Sequence, residues 1–252
     1  MKSLLILCLA LSLYACGEAE APTVYSQNPS PMVDYTRPHH RISLDAVPDA
    51  GDTIHLSEKV VSQLYVPDKW ANETRLDLLI HFHGDARVAQ HAVDRQPAPW
   101  IVFHCHWGNG SSAYSRPVDE LGAGAWLEAV RAAVQEKLSG AAISGVYLSA
   151  WSAGYGAVRS IIGREEAASQ VDGILLLDGL HCSYVPEGTP LAAGGALDSM
   201  QMEPFVRWAK WAAQGEKSLL LTHSAVFPGT YASTTETAEY LLQSLGIPRQ
   251  SL

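Results

Sequence analysis

The sequence predicts an α/β domain, a mostly parallel central sheet with helices on both faces. Three observations carry that expectation. Short apolar, β-favouring runs at 76–82, 100–105, 146–149, 171–177 and 218–222 alternate with helical patterns. Strands that alternate with helices build βαβ units, whose parallel strands are covered on both sides and read as unbroken apolar runs. The chemically capable residues His83, Asp85, His106, Ser152, Asp178, His181 and His223 each follow the end of such a run. Open α/β sheets gather their functional groups at that end. Residues 145–157 then read as a strand, one sharp turn and a helix start almost without side-chain bulk.

The elements follow in order. Residues 41–56 carry an N-terminal strand without a clear boundary, and 59–66 alternate as an edge strand stopped by Pro67. The run 76–82 is a buried strand closed by His83-Gly84-Asp85, and 86–94 is a weakly patterned helix. The run 100–105 is the next strand, ended by His106-Trp107-Gly108-Asn109-Gly110. Residues 123–138 form a helix, since Trp126, Leu127, Val130, Val134 and Leu138 recur at spacings of three and four. The turn at Ser152 opens a helix over 153–163, and 171–177 is a buried strand ending at Asp178-Gly179. The Gly- and Pro-rich stretch 180–202 is a loop placed to shape a substrate site, with Tyr184, Leu191, Met200, Met202 and Trp208 as candidates for an apolar wall. A helix at 203–213, a strand at 218–222 and a helix at 235–245, capped by Thr234 or Thr235, complete the chain.

Length and composition bound the rest. The chain has 252 residues, 47% of them hydrophobic and 17% charged, which suits one globular domain with a full core. A formal net charge of −9 repels phosphate backbones and argues against nucleic-acid binding. Residues 1–16 read as a signal peptide: Lys2, then a leucine-rich run too short to span a bilayer. Its end, Leu13-Tyr14-Ala15-Cys16-Gly17, resembles a bacterial lipobox, which implies lipidation of Cys16. Cleavage near Ala15 without lipid is the alternative. Both imply export, the first to a lipid anchor leaning toward the outer membrane, the second to the periplasm or medium. Residues 17–40, dotted with Pro22, Pro29 and Pro31, are expected to tether a domain spanning 41–252. Of the cysteines that remain, Cys105 and Cys182 read as two buried free thiols rather than as a disulfide.

The small-x-Ser-x-small pattern Ala150-x-Ser152-x-Gly154 is that of a nucleophile elbow. A nucleophile on a tight strand-to-helix turn has strained dihedrals, so side chains two residues away on either side must be small. The turn also aims the N–H of Ala153 at the place where an oxyanion forms. The competing reading is a small-residue helix packed on a sheet, with Ser152 as its N-cap.

Over roughly 59–245 the chain resembles the α/β-hydrolase superfamily, with or without the last strand of that fold. The resemblance rests on His83-Gly84 after the third strand, Ala150-x-Ser152-x-Gly154 after the fifth and Asp178 after the next. It implies a serine hydrolase without cofactor or metal, cleaving a small-molecule ester or amide. Ser152 is then the nucleophile and Asp178 the acid that orients the base. Ala153 and Asp85 supply the oxyanion N–H groups, and His83 and Gly84 support that loop. Asp85 places a carboxylate beside a developing negative charge, which is unfavourable unless it turns away or meets a cation; capping the next helix is its other reading. The position where most members carry the acid is Thr222-His223-Ser224, without a carboxylate. No histidine follows His223, so His223 is the expected base, with His181 or loss of the base as alternatives. Two further functions stay open. His81-x-His83 and His104-x-His106 end two neighbouring strands and could present imidazoles to a Zn²⁺ in a metal-dependent hydrolase. A lipoprotein that binds without chemistry is the other.

Overall fold

The computed structural model describes residues 51–56, 60–138 and 140–250. The expected signal peptide, the expected lipidation at Cys16, the expected tether and residues 41–50 lie outside the described residues. Strands β1 (Asp52–His55), β2 (Val61–Tyr65), β3 (Arg75–Phe82), β4 (Trp100–Cys105), β5 (Ala142–Trp151), β6 (Gly173–Leu177) and β9 (Ser218–Thr222) form one seven-stranded sheet in the order β1-β2-β4-β3-β5-β6-β9. Its β4-β3-β5-β6-β9 portion is parallel, while β2 pairs antiparallel with β1 and β4. The expected edge strand β2 is therefore internal, covered by β1, and β9 stands at the far edge. Strands β7 (Tyr184–Val185) and β8 (Ala196–Leu197) make a separate antiparallel ribbon inside the stretch expected to be loop.

Seven α-helices accompany these strands among the described residues: α1 (Ala86–Asp94), α2 (Ser111–Leu121), α3 (Ala123–Lys137), α4 (Tyr155–Ile162), α5 (Glu165–Ala168), α6 (Ser199–Ala213) and α7 (Thr234–Leu245). Side chains alternate across a strand, so each strand feeds two layers. Ile101 and Phe103 of β4 join Leu78 and Ile80 of β3, Leu148 of β5, Trp126 and Leu127 of α3 and Val158 and Ile161 of α4 in the main core. Val102 points the other way and packs with Ala89 and Val93 of α1. Helices thus cover both faces, as the unbroken apolar runs require.

Helix ends differ from expectation where local chemistry competes. Helix α7 is capped by Ser233, not by Thr234 or Thr235: the Ser233 hydroxyl accepts from the Glu236 N–H while the Glu236 carboxylate accepts from the Ser233 N–H. Thr234 is thereby released for another partner. Helix α6 starts four residues early because the Asp198 carboxylate accepts from the N–H groups of Met200 and Gln201. Helix α2 went unread in the sequence: its first turn is serine-rich and Pro117 sits inside it. Cys105 and Cys182 are both free and buried, and burial pushes each thiol pKa up, which makes them inert.

Candidate active site

Among the described residues, three that are not glycine have positive φ: His83 at 71°, Ser152 at 45° and Asp178 at 45°. Each follows the C-terminal end of a parallel strand, β3, β5 or β6 respectively. Strained backbone at three adjacent strand ends is the local signature of a functional site. At Ser152 the strand ends, one 3-10 turn covers Ser152–Gly154, and α4 begins. The small flanks have measurable reasons. A Cβ on Gly154 would lie 2.3 Å from the Phe82 carbonyl oxygen, and one on Gly156 2.2 Å from that of Ser111. Ala150 is fully buried. Gly179 lets the turn after β6 approach the elbow, since a Cβ there would be 3.0 Å from the Ser152 nitrogen.

Ser152 and Ala153 line a cavity of about 470 Å³ together with Tyr155 and His181. His181 follows the turn at Asp178-Gly179 and stands between two tyrosines. Its ring meets Tyr155 edge to face at 5.6 Å and Tyr231 at 5.1 Å and 89°. Its Nδ1 lies 3.0 Å from the Ala232 carbonyl oxygen. A carbonyl only accepts, so Nδ1 carries the proton and the neutral ring keeps its lone pair on Nε2. Burial lowers the His181 pKa, opposed by its main-chain hydrogen bonds to Ala232 and Asp178 and by the Asp178 charge.

The expected base, His223, is placed elsewhere. It lies outside the wall of this cavity and is exposed. Its Nδ1 is 3.0 Å from the Thr235 hydroxyl, and its Nε2 is 3.4 Å from an Arg249 guanidinium nitrogen. The N-terminal turn of α7 and the segment that follows α7 thus engage the two ring nitrogens. The Asp178 carboxylate is held by its neighbours. Its Oδ1 accepts from the Ser224 N–H at 2.9 Å and from the Thr234 hydroxyl. The carboxylate acts on His181 by charge.

The loop after β3 divides its tasks. The Asp85 side chain accepts from the Arg87 N–H at 2.9 Å and pairs with the Arg87 guanidinium at 2.7 Å. It caps α1 and is neutralised, which holds its pKa below the usual carboxylate range. Asp85 and Gly84 line a neighbouring cavity with His104 and His106, not the Ser152 cavity. Gly84 sits under Trp151, where a Cβ would be 3.2 Å from the indole. His83 stacks between His106 at 5.3 Å and Trp151 at 5.1 Å. The Tyr114 hydroxyl donates to the Gly108 carbonyl at 2.7 Å, so the Tyr114 oxygen, 2.7 Å from His83 Nδ1, must accept from it. This relay, out of reach of sequence reasoning because α2 was not seen, ties the loop after β3 to the loop after β4.

The histidine pairs do not converge on a metal position. His81 stacks on His104 at 5.7 Å and His83 on His106, so the rings lie face to face. Among the described residues no group of three or more His, Cys, Asp or Glu side chains is arranged to hold a metal ion. His81 Nδ1 is instead 2.6 Å from the Ser149 hydroxyl, and His104 Nε2 donates to the Gly84 carbonyl at 3.2 Å.

No family model and no curated protein sequence matches the chain. Among solved structures it is similar to Thermogutta terrifontis esterase 2 phosphorylated by paraoxon, at 13% identity and a TM-score of 0.42, covering 85% of this chain and 100% of that one. It is also similar to the siderophore hydrolase EstB from Aspergillus fumigatus, at 19% identity and a TM-score of 0.38, covering 75% and 62%. A Rhizomucor miehei esterase is similar over 54% of this chain at 16% identity and a TM-score of 0.38; the chain spans 46% of that esterase's length.

Proposed function

We propose that this chain is a serine hydrolase that cleaves esters, with Ser152 as nucleophile and His181 as general base. One observation supports this above the others. A serine strained at φ 45° on a strand-to-helix turn shares a cavity with an imidazole whose Nδ1–H is already committed to a carbonyl. The reaction follows from that geometry. His181 Nε2 takes the Ser152 hydroxyl proton as Oγ attacks the ester carbonyl. The Ala153 N–H, at the start of the helical turn, stabilises the oxyanion, helped by the partial positive charge of that end. The Asp178 carboxylate stabilises the imidazolium by charge. His181 then returns the proton to the leaving alcohol, and water repeats the sequence on the acyl-enzyme. In this scheme His83, Tyr114 and Trp151 position the loops and do not touch the reacting atoms.

The test is labelling with a fluorophosphonate together with ester hydrolysis. Wild-type protein is labelled and Ser152→Ala is not. His181→Asn lowers kcat/KM about 100-fold or more, in the range of a lost general base, while His223→Asn stays within about twofold, as expected of a surface substitution. The base must be neutral and its pKa is depressed by burial. Wild-type kcat/KM therefore falls only as pH drops through a value below the ordinary ~6.5 of histidine. Loss of activity in His223→Asn with retention in His181→Asn would reassign the base.

A further inference from the structure

The Ser152 cavity carries more than a catalytic serine. Among the described residues, its wall contains no leucine, isoleucine, valine, methionine or phenylalanine. The residues expected to make an apolar wall went elsewhere: Tyr184, Met202 and Trp208 are buried in the core, and Met200 is 85% exposed. A fatty acyl chain entering this cavity would desolvate hydroxyls and amides without pairing them, which is unfavourable for each group left unpaired. Besides the catalytic groups, the wall offers Asn109, Ser111, Ser183, Thr230 and Tyr231. Ser183 shows how such a group is presented. Its hydroxyl oxygen accepts from Gln201 Nε2 at 3.1 Å, which leaves its own hydrogen for a ligand oxygen.

Charge narrows the class further. Among the described residues, Glu187 is the one carboxylate on the wall, and no lysine or arginine lines it. A carboxylate on the wall, in a chain of formal charge −9, disfavours an anionic substrate. A cationic one would be drawn by the same carboxylate but opposed by the Arg159 guanidinium, which lies 5.4 Å from the centroid of the Tyr155 ring on the wall and puts a positive charge beside the cavity. What remains is a neutral ligand with many hydroxyls and some apolar ring surface to lie against a half-exposed tyrosine such as Tyr231. A cavity of about 470 Å³ is of small-molecule size.

We infer that the substrate is a short-acyl ester of a neutral, hydroxyl-rich alcohol, that is, an acylated uncharged sugar. The inference rests on the serine-hydrolase reading above. In the reaction the Ser152 Oγ–acyl carbon bond forms and the acyl carbon–sugar oxygen bond breaks. The sugar oxygen leaves with the proton held by His181, and water then releases the short acid.

The experiment measures acid release by the purified protein from a methyl glucoside acetate, a methyl glucuronate acetate, acetylcholine, p-nitrophenyl acetate and p-nitrophenyl octanoate, alongside fluorophosphonate labelling. The glucoside acetate is expected to exceed the octanoate, acetylcholine and the glucuronate in kcat/KM by about tenfold or more, the size of discrimination a few mispaired groups supply. Glu187→Gln is expected to narrow the gap between glucoside and glucuronate several-fold, as removal of one like-charge repulsion should. Labelled protein that prefers octanoate or acetylcholine, or cleaves no sugar acetate, overturns the substrate class while the hydrolase reading stands. Folded protein that is neither labelled nor active on any ester overturns both.

Discussion

Ser152 stores strain that its neighbours cannot remove. A non-glycine residue at φ 45° costs roughly 1–3 kcal/mol, and the turn is fixed by contacts on three sides, through Phe82, Gly179 and Ser111. Replacing Ser152 with glycine relieves the strain without changing the path of the chain. Ser152→Gly is therefore expected to raise stability by about 1 kcal/mol in urea denaturation while abolishing labelling and hydrolysis. An unchanged or lowered midpoint would show that the turn is not strained. The elbow was legible because its signal is local: small residues at fixed offsets from a serine, with steric reasons the structure bears out at Gly154 and Gly156. The choice between His223 and His181 as the base was not legible. Which histidine shares the serine's cavity depends on the path of the chain after Asp178, and on Thr235 and Arg249 engaging His223. Those contacts join residues 12 and 26 positions apart, beyond the reach of any motif.

At the scale of elements, the parallel strands and helices α3 and α7 follow from periodicity because their apolar faces are regular, while α1 shows only a weak pattern. Helix α2 does not, since Pro117 and the serines of its first turn read as breakers. The burial of Tyr114 and Val118 on its inner face decides the matter instead. This unforeseen helix supplies the tyrosine that joins two site loops. Tyr114→Phe keeps the ring in place and removes one oxygen. That leaves the His83 Nδ1–H and the Gly108 carbonyl without their shared partner. The expected destabilisation is about 1–3 kcal/mol, the penalty for orphaned polar groups rather than for one lost hydrogen bond. Amide exchange should accelerate in residues 106–110 and remain unchanged in α7. Equal acceleration in both would mean a global loss and no specific hold on the loop.

Across the whole molecule, one register level of the sheet is polar where its neighbours are apolar. Gln63 of β2 pairs with His104 of β4, His104 with His81 of β3, and His81 with Ser149 of β5. On the same face, Val102 and Leu79 meet α1 through apolar contacts. Burial, with the charge of neighbouring histidines, lowers the His81 pKa to about 3, and burial lowers that of His104 to about 4. Both rings are thus neutral in the folded protein over a range where an unfolded histidine, with a pKa near 6.5, is charged. The unfolded chain then binds more protons, so stability is complete above pH ~6.5 and is lost as pH falls toward ~4 and then ~3. While both sites contribute, the slope is on the order of 2–3 kcal/mol per pH unit, about 1.4 for each histidine. The acid sensitivity of this sheet is accordingly assigned to two interior histidines rather than to its three exposed or half-exposed ion pairs among the described residues, which contribute little. The check is urea denaturation at pH 7, 6 and 5 for the wild type and for a His81→Asn, His104→Gln double variant. The wild type should lose several kcal/mol over that range, and the variant should show a slope at least halved even if its stability at pH 7 is lower. Parallel curves for the two proteins would place the proton-binding groups outside this row.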